Sequence, residues 1–176
     1  MRTLLFTVAA AAVAISAVPA AAQDWRSPTW TGSISYANVG ADDADVDLDA
    51  VTARVGARFT PYFGAEGELS TGLGDETVAP GVDVGLSYDA AIYGVGYVPI
   101  NSNLELFGRL GYGTTELDAS GPGGTITGDN DSWNYGAGAN YFFDGVNGVR
   151  GDYTRREFQN DGGSADVWSI GYVRRF

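Results

Sequence analysis

The stretch "ADDADVDLDAVTARVGARF", residues 41–59, changes character partway along while keeping a repeat of two residues. Aspartates occupy alternate positions from Asp43 to Asp49, and apolar residues occupy the same positions from Val51 to Phe59. Because successive side chains of a β-strand point to opposite faces, both sets belong to one face of one strand. We therefore predict that this face passes from water into an apolar environment between Asp49 and Val51.

An acidic ion-binding loop is the alternative interpretation of the same aspartates. An EF-hand loop requires glycine at position six and glutamate at position twelve. Counted from Asp43, those positions hold Leu48 and Arg54, which excludes the EF-hand. Looser binding of a divalent cation by the aspartates, bridging to lipid phosphates, remains open.

The repeat of two residues recurs along the chain and predicts eight β-strands. The runs lie at about residues 30–36, 49–59, 63–70, 83–97, 104–112, 133–143, 149–156 and 168–176, with a register change or bulge near Asp89. The connections alternate long and short, and the long ones include residues 72–83 and 114–131. A soluble sandwich has no reason to sort its loops this way. A closed eight-stranded antiparallel up-and-down barrel that crosses a membrane does, because its turns are short on one side.

One face of these strands carries aromatic residues near the strand ends, with small aliphatic residues between them. This pattern is typical of the lipid-facing surface of an outer-membrane barrel, where two aromatic girdles flank an apolar band. The aromatic residues assigned to this outer face are Trp30, Tyr36, Phe59, Phe63, Tyr93, Tyr97, Tyr112, Trp133, Tyr135, Tyr141, Phe143, Tyr153, Trp168, Tyr172 and Phe176.

The opposite face would line a lumen only just wide enough for side chains to fill. Glycines assigned to it, Gly94, Gly96, Gly136 and Gly138, would leave room there for longer side chains. We predict an internal arginine–carboxylate network, since an unpaired buried ion is costly. The alternative is that these charges are ordinary solvated faces of an open sheet. The network residues are Arg54, Arg58, Glu66, Glu68, Glu105, Arg109, Arg150, Asp152 and Arg156.

The N-terminus has the pattern of a secretory signal peptide. Arg2 precedes an apolar run that ends in an Ala-x-Ala site, which places the cleavage between Ala22 and Gln23, with Ala20 as the other small residue. A membrane anchor helix is the alternative, but the run is short for one. We therefore expect a signal peptide at 1–22, a short periplasmic segment at 23–29 and the barrel at 30–176.

Composition excludes several classes of function. The chain has no Cys, so no disulfide supports the exported fold, and no His, so neither a His/Cys zinc site nor a Ser–His device can be assembled. The net charge of −12 argues against binding nucleic acid, which requires a basic face. We expect no cofactor and no metal centre.

The C-terminal "DVWSIGYVRRF" resembles the terminal strand signal that the barrel assembly machinery reads, with Trp168, Ile170, Tyr172 and Phe176 at its positions. The stretches "LELFGRLGYG" and "GAGANYFF" resemble strands of the OmpA/OmpX-like family of eight-stranded outer-membrane β-barrel domains. The resemblance covers about residues 30–176. It implies a Gram-negative outer-membrane location, contact with membrane lipids and lipopolysaccharide, help from the assembly machinery, and a monomer.

The resemblance implies a structural or surface protein without catalytic activity. Small barrels that are enzymes, such as lipid A deacylases, lipid A palmitoyl transferases and omptin proteases, rely on a catalytic histidine, which this chain lacks. Two alternatives stay open: a surface adhesin or host-interaction factor, and a narrow pore of low conductance.

Overall fold

The computed structural model describes residues 28–41, 47–79, 82–121, 124–159 and 163–176, and these form antiparallel β-structure. The strands are β1 (Thr29–Ala41), β2 (Asp47–Arg58), β3 (Phe63–Gly72), β4 (Asp75–Ala79), β5 (Val82–Pro99), β6 (Leu104–Gly121), β7 (Gly124–Phe142), β8 (Asn147–Phe158) and β9 (Ser164–Arg175). Strands β3 and β4 both pair with β5 and are successive parts of one barrel strand. The predicted eight-stranded antiparallel barrel is confirmed. No helix within the described residues is long and apolar enough to cross a membrane.

The sheet closes through β1 and β9. Their antiparallel ladder runs from the pair Thr31–Arg175 to the pair Ala41–Ala165, so neither strand is left as an edge. We call the end that holds residues 59–62, 100–103 and 143–146 the turn end, and the opposite end the loop end. A closed ladder satisfies every backbone donor and acceptor between strands, which a membrane-spanning sheet requires.

The outer face is apolar and exposed, as the pattern of residues 51–59 indicates. Ile34, Ile92 and Ile170 lie near mid-height and are 56%, 66% and 66% exposed. Aromatic side chains gather toward both ends and contact one another, as Tyr112 does with Trp133 at 5.4 Å between ring centroids. An apolar band between aromatic belts is the surface that a bilayer requires.

The face assignment of the fourth predicted run is wrong. Tyr93, Val95 and Tyr97 are 1%, 3% and 6% exposed and lie inside the barrel, with Ala91 beside them. Gly94 and Gly96, which share the parity of exposed Ile92, therefore face outward rather than into the lumen. The Tyr93 and Tyr97 rings pack between arginine side chains in the lumen, so they are buried without facing the lipid. The register shift lies between Leu86 and Tyr88, close to the predicted position.

Two stretches predicted as long connections are largely strand. Strands β6 and β7 continue their ladder to the pair Gly121–Gly124, and β4 pairs with β5 within residues 75–85. Polar residues such as Thr and Asp dominate these extensions, so their sequence shows no sustained alternation of apolar and polar residues. Their backbones are nonetheless paired, and β4 to β7 form a sheet that projects from the loop end.

Candidate functional site

A dense charge network fills the middle of the lumen. Strands β2, β3, β6 and β8 supply its residues because their inner-facing positions alternate with the lipid-facing apolar ones. The structure brings together seven of the nine predicted network residues here, all of them buried: Arg54, Glu66, Glu68, Arg109, Arg150, Asp152 and Arg156.

Glu68 is the hub of this network. Its Oε2 accepts hydrogen bonds from Arg54 Nε and Arg109 Nη1, both at 2.6 Å. Its Oε1 accepts from Arg156 Nη2 at 3.1 Å and from the Tyr93 hydroxyl at 3.2 Å. One carboxylate therefore links strands β2, β6, β8 and β5 across the lumen.

Glu66 and Asp152 complete the centre. Arg150 donates to both Glu66 oxygens, at 2.5 and 3.0 Å, in a bidentate pair. Asp152 accepts from Arg109 Nη2 at 2.9 Å, from Arg150 Nε at 2.9 Å and from Arg54 Nη2 at 3.4 Å. Such charge-assisted bonds offset the desolvation of each ion only when, as here, several are made at once.

Asp89 belongs to the centre and was not predicted. Both of its oxygens pair with Arg156, at 2.6 and 2.7 Å, and Thr115 donates to it at 2.9 Å. With Asp89 included, the central layer holds four arginines and four carboxylates. The signal was present, because Asp89 shares the parity of Ala91 and Tyr93.

A second layer of lumen residues lies at the turn end. Arg58 and Arg175 both approach Glu105 Oε2, at 2.8 and 3.2 Å, so these residues form a group apart from the centre. Arg58 stacks on the Tyr97 ring and Arg175 on the Phe142 ring, at 3.8 and 3.9 Å from the ring centroids. Arg175 is the second charged lumen residue that sequence analysis missed.

An apolar layer closes the loop end of the lumen. It consists of the buried side chains Ala37, Leu48, Ala50, Leu86 and Val167. Val39 packs against them. The charged centre therefore lies between an apolar layer and an aromatic–arginine layer.

The lumen network has few features that catalysis could use. Its carboxylates are each paired with arginine, and a guanidinium group stays protonated near neutral pH, so it cannot act as a general acid or base. Within the part of the chain that the structure describes, no group of acidic side chains is placed to hold a metal ion. The lumen residues are arranged to neutralise one another.

A row of tyrosine–carboxylate pairs marks the loop-end rim of the outer face, and sequence analysis did not anticipate it. Each tyrosine donates to an acid on the next strand, one outer-face step nearer the loop end. The pairs are Tyr36–Asp49 at 2.5 Å, Tyr135–Glu157 at 2.8 Å, Tyr153–Asp166 at 2.7 Å and Tyr112–Asp131. The repeat of two residues predicts that these tyrosines and acids lie on the outer face. It does not predict which tyrosine on one strand bonds to which acid on the next.

The other predicted residues lie as follows. Trp168, Ile170 and Tyr172 are exposed on the outer face of β9, and Phe176 follows that strand. Asp49 is exposed on the outer face of β2. Asp43 and Asp45, like the cleavage residues Ala20, Ala22 and Gln23, lie outside the described residues.

Comparison with known proteins agrees with this geometry. A family model, the outer membrane protein beta-barrel domain, matches residues 7–176. No curated protein matches the chain.

Solved structures share the fold at low identity. Ail, the attachment invasion locus protein of Yersinia pestis, is 18% identical with a TM-score of 0.64, over 85% of this chain and 97% of Ail. Neisserial surface protein A is 10% identical with a TM-score of 0.66, over 85% and 97%. Outer membrane protein OprG from Pseudomonas aeruginosa is 12% identical with a TM-score of 0.60, over 85% and 96%. The chain thus belongs to the outer membrane protein beta-barrel domain family and resides in the outer membrane of a Gram-negative bacterium.

Proposed function

We propose that the chain is a monomeric structural barrel with a closed lumen that anchors acidic strand ends and loops at the cell surface, without catalytic activity. One observation carries the proposal: the central charge network fills the lumen between an apolar layer and an arginine–aromatic layer. Its partners are outer-membrane lipids, lipopolysaccharide and, during biogenesis, the barrel assembly machinery acting on the strand that ends at Phe176. We also propose that residues 1–22 are a signal peptide that is cleaved off during export.

The packing of the lumen does not favour the narrow-pore alternative. An ion crossing the lumen would have to part Glu68 from three arginines and then cross the apolar residues around Leu48. Each step replaces strong interactions with weak hydration in a narrow space.

Conductance across a planar bilayer tests the closed lumen. We expect no steady current from the purified barrel at moderate voltage. Steady single-channel currents that change after Arg54→Gln would overturn the proposal in favour of a pore. The unheated and boiled mobilities of the same sample show that the protein measured is folded.

A surface adhesin is the second candidate, and the projecting sheet of β4 to β7 favours it. Paired strands that rise past the aromatic rim present a stiff surface to a partner. Ail has been solved with the heparin analogue sucrose octasulfate, a polyanion. Here Arg155 is the one cation on the described loop-end rim, and it is paired with Asp166 at 2.9 Å. An adhesin of this kind would therefore prefer a cationic partner.

Protection of the projecting sheet distinguishes the adhesin from the purely structural barrel. Whole cells that display the protein are treated with protease, with and without a candidate host protein. Protection that requires the host protein supports the adhesin. Equal cleavage in both samples supports the structural barrel.

A further inference from the structure

The turn end of the lumen carries one arginine more than its carboxylates can neutralise. In the centre, four arginines face four carboxylates. In the lumen layer at the turn end, Arg58 and Arg175 share the Glu105 carboxylate, whereas the Asp144 carboxylate lies in the exposed turn and accepts from Val146 and Asn147. The surplus of one positive charge is therefore local to this end.

Glu105 cannot serve both arginines fully. Its Oε2 lies 2.8 Å from Arg58 Nη2 and 3.2 Å from Arg175 Nη2, and its Oε1 accepts from Asn140 Nδ2 at 3.0 Å. Arg58 Nε and Nη2 are buried and make no hydrogen bond of good geometry. A lysine could relieve such a surplus by losing its proton, but a guanidinium cannot. A bound anion would supply the missing negative charge.

The layer is open enough to admit one. The Arg175 side chain is 26% exposed and the Arg58 side chain 12%, whereas the central arginines are at most 4% exposed. Stacking on the Tyr97 ring holds the Arg58 guanidinium plane, whose Nε and Nη2 make no hydrogen bond of good geometry. Arg175 stacks on the Phe142 ring and makes only long hydrogen bonds, to the Gly145 carbonyl at 3.3 Å and to Glu105 at 3.2 Å, which a charge-assisted bond to an oxyanion can replace. We infer that the turn end of the lumen binds one small oxyanion of the phosphate class between Arg58 and Arg175.

Arginine side-chain NMR of the folded barrel in maltoside micelles tests this site. The chain has ten arginines and no lysine, so the Nε–H signals are few. Inorganic phosphate should shift the Arg58 and Arg175 signals along a saturable curve. Sodium chloride at matched ionic strength should not reproduce that curve.

Four variants sharpen the result. Arg175→Gln should abolish saturation, whereas Arg174→Gln should leave it unchanged because Arg174 is exposed and lies over Phe176. Glu105→Gln should tighten phosphate binding by about tenfold, since it removes the competing negative charge. Arg58→Gln replaces Arg175→Gln if that protein fails the heat-mobility test of folding.

The outcomes separate clearly. Equal, unsaturated shifts with phosphate and chloride, or an unchanged dissociation constant in Arg175→Gln, would overturn the site. Micelles doped with phosphatidylglycerol and free of inorganic phosphate identify the source. Saturation there assigns a lipid headgroup, and saturation only with inorganic phosphate assigns a free anion.

Discussion

Replacing the hub carboxylate tests whether the central network holds the barrel together. Glu68→Gln keeps the side-chain volume but removes the charge that three arginines share. Removing one partner of a buried ion pair costs about 3–5 kcal/mol, because the remaining charge is left uncompensated. Glu68 contacts Arg54 and Arg109 at 2.6 Å, so we expect a loss in the upper part of that range.

Equilibrium unfolding by urea in phospholipid vesicles, followed by tryptophan fluorescence, measures the loss. With a urea dependence of about 2 kcal/mol per molar, the midpoint should fall by roughly 2 M. Glu157→Gln is the matched control, because Glu157 is exposed at the rim and bonded to the Tyr135 hydroxyl. If both variants unfold at the wild-type midpoint, the charges are a solvated lining and the argument fails.

Three further predictions follow from particular positions. Gly138→Ala should prevent stable folding, because its Cβ would lie 2.6 Å from both Asp152 Cβ and Phe107 Cζ, whereas Gly67→Ala, with open space around it, should fold normally in the heat-mobility assay. Ile92→Lys should cost about 2–4 kcal/mol by urea unfolding if Ile92 faces mid-bilayer, and Leu73→Lys near the loop end should cost about 1 kcal/mol or less; equal losses would contradict the corrected face of β5. Hydrogen bonds from the backbone N–H and the side-chain amide of Asn147, and from the Val146 N–H, hold the pKa of Asp144 at about 2, below its ordinary 3.8. This contribution to stability is present above about pH 4 and is lost as pH falls toward 2, so Asp144→Ala should flatten that part of the stability–pH curve, and an unchanged slope would refute it.

The barrel could be predicted from the sequence because a strand that crosses a bilayer must alternate lipid-facing apolar residues with lumen-facing polar ones. Val51, Val55 and Phe59 must share a face that contacts lipid, and the arginines between them must not. The extensions of β6 and β7 could not be predicted this way, because Gly, Thr and Asp outnumber their few apolar residues and the strands are defined by backbone pairing. The lumen charges divide into a balanced centre and an unbalanced turn end according to which strands face each other across the lumen. The sequence of a single strand does not contain that information.

The wrong face of β5 shows how different residue types should be weighed in a narrow barrel. Tyrosine occurs both in the aromatic girdle and in the lumen. The Arg109 guanidinium stacks on the Tyr93 ring inside the barrel, 4.4 Å from its centroid, while Tyr153 lies on the outer face. A carboxylate has no such freedom, because facing hydrocarbon would leave its charge without hydration or a partner. Asp89 shares its parity with Tyr93 and Tyr97, and the register shift precedes it, between Leu86 and Tyr88. An acid in the part of a strand that crosses the hydrocarbon therefore determines the face more reliably than several aromatic residues do, whereas acids at the loop-end rim, such as Asp49 and Glu157, can face outward. The predicted register change near Asp89 left the face of that residue undefined.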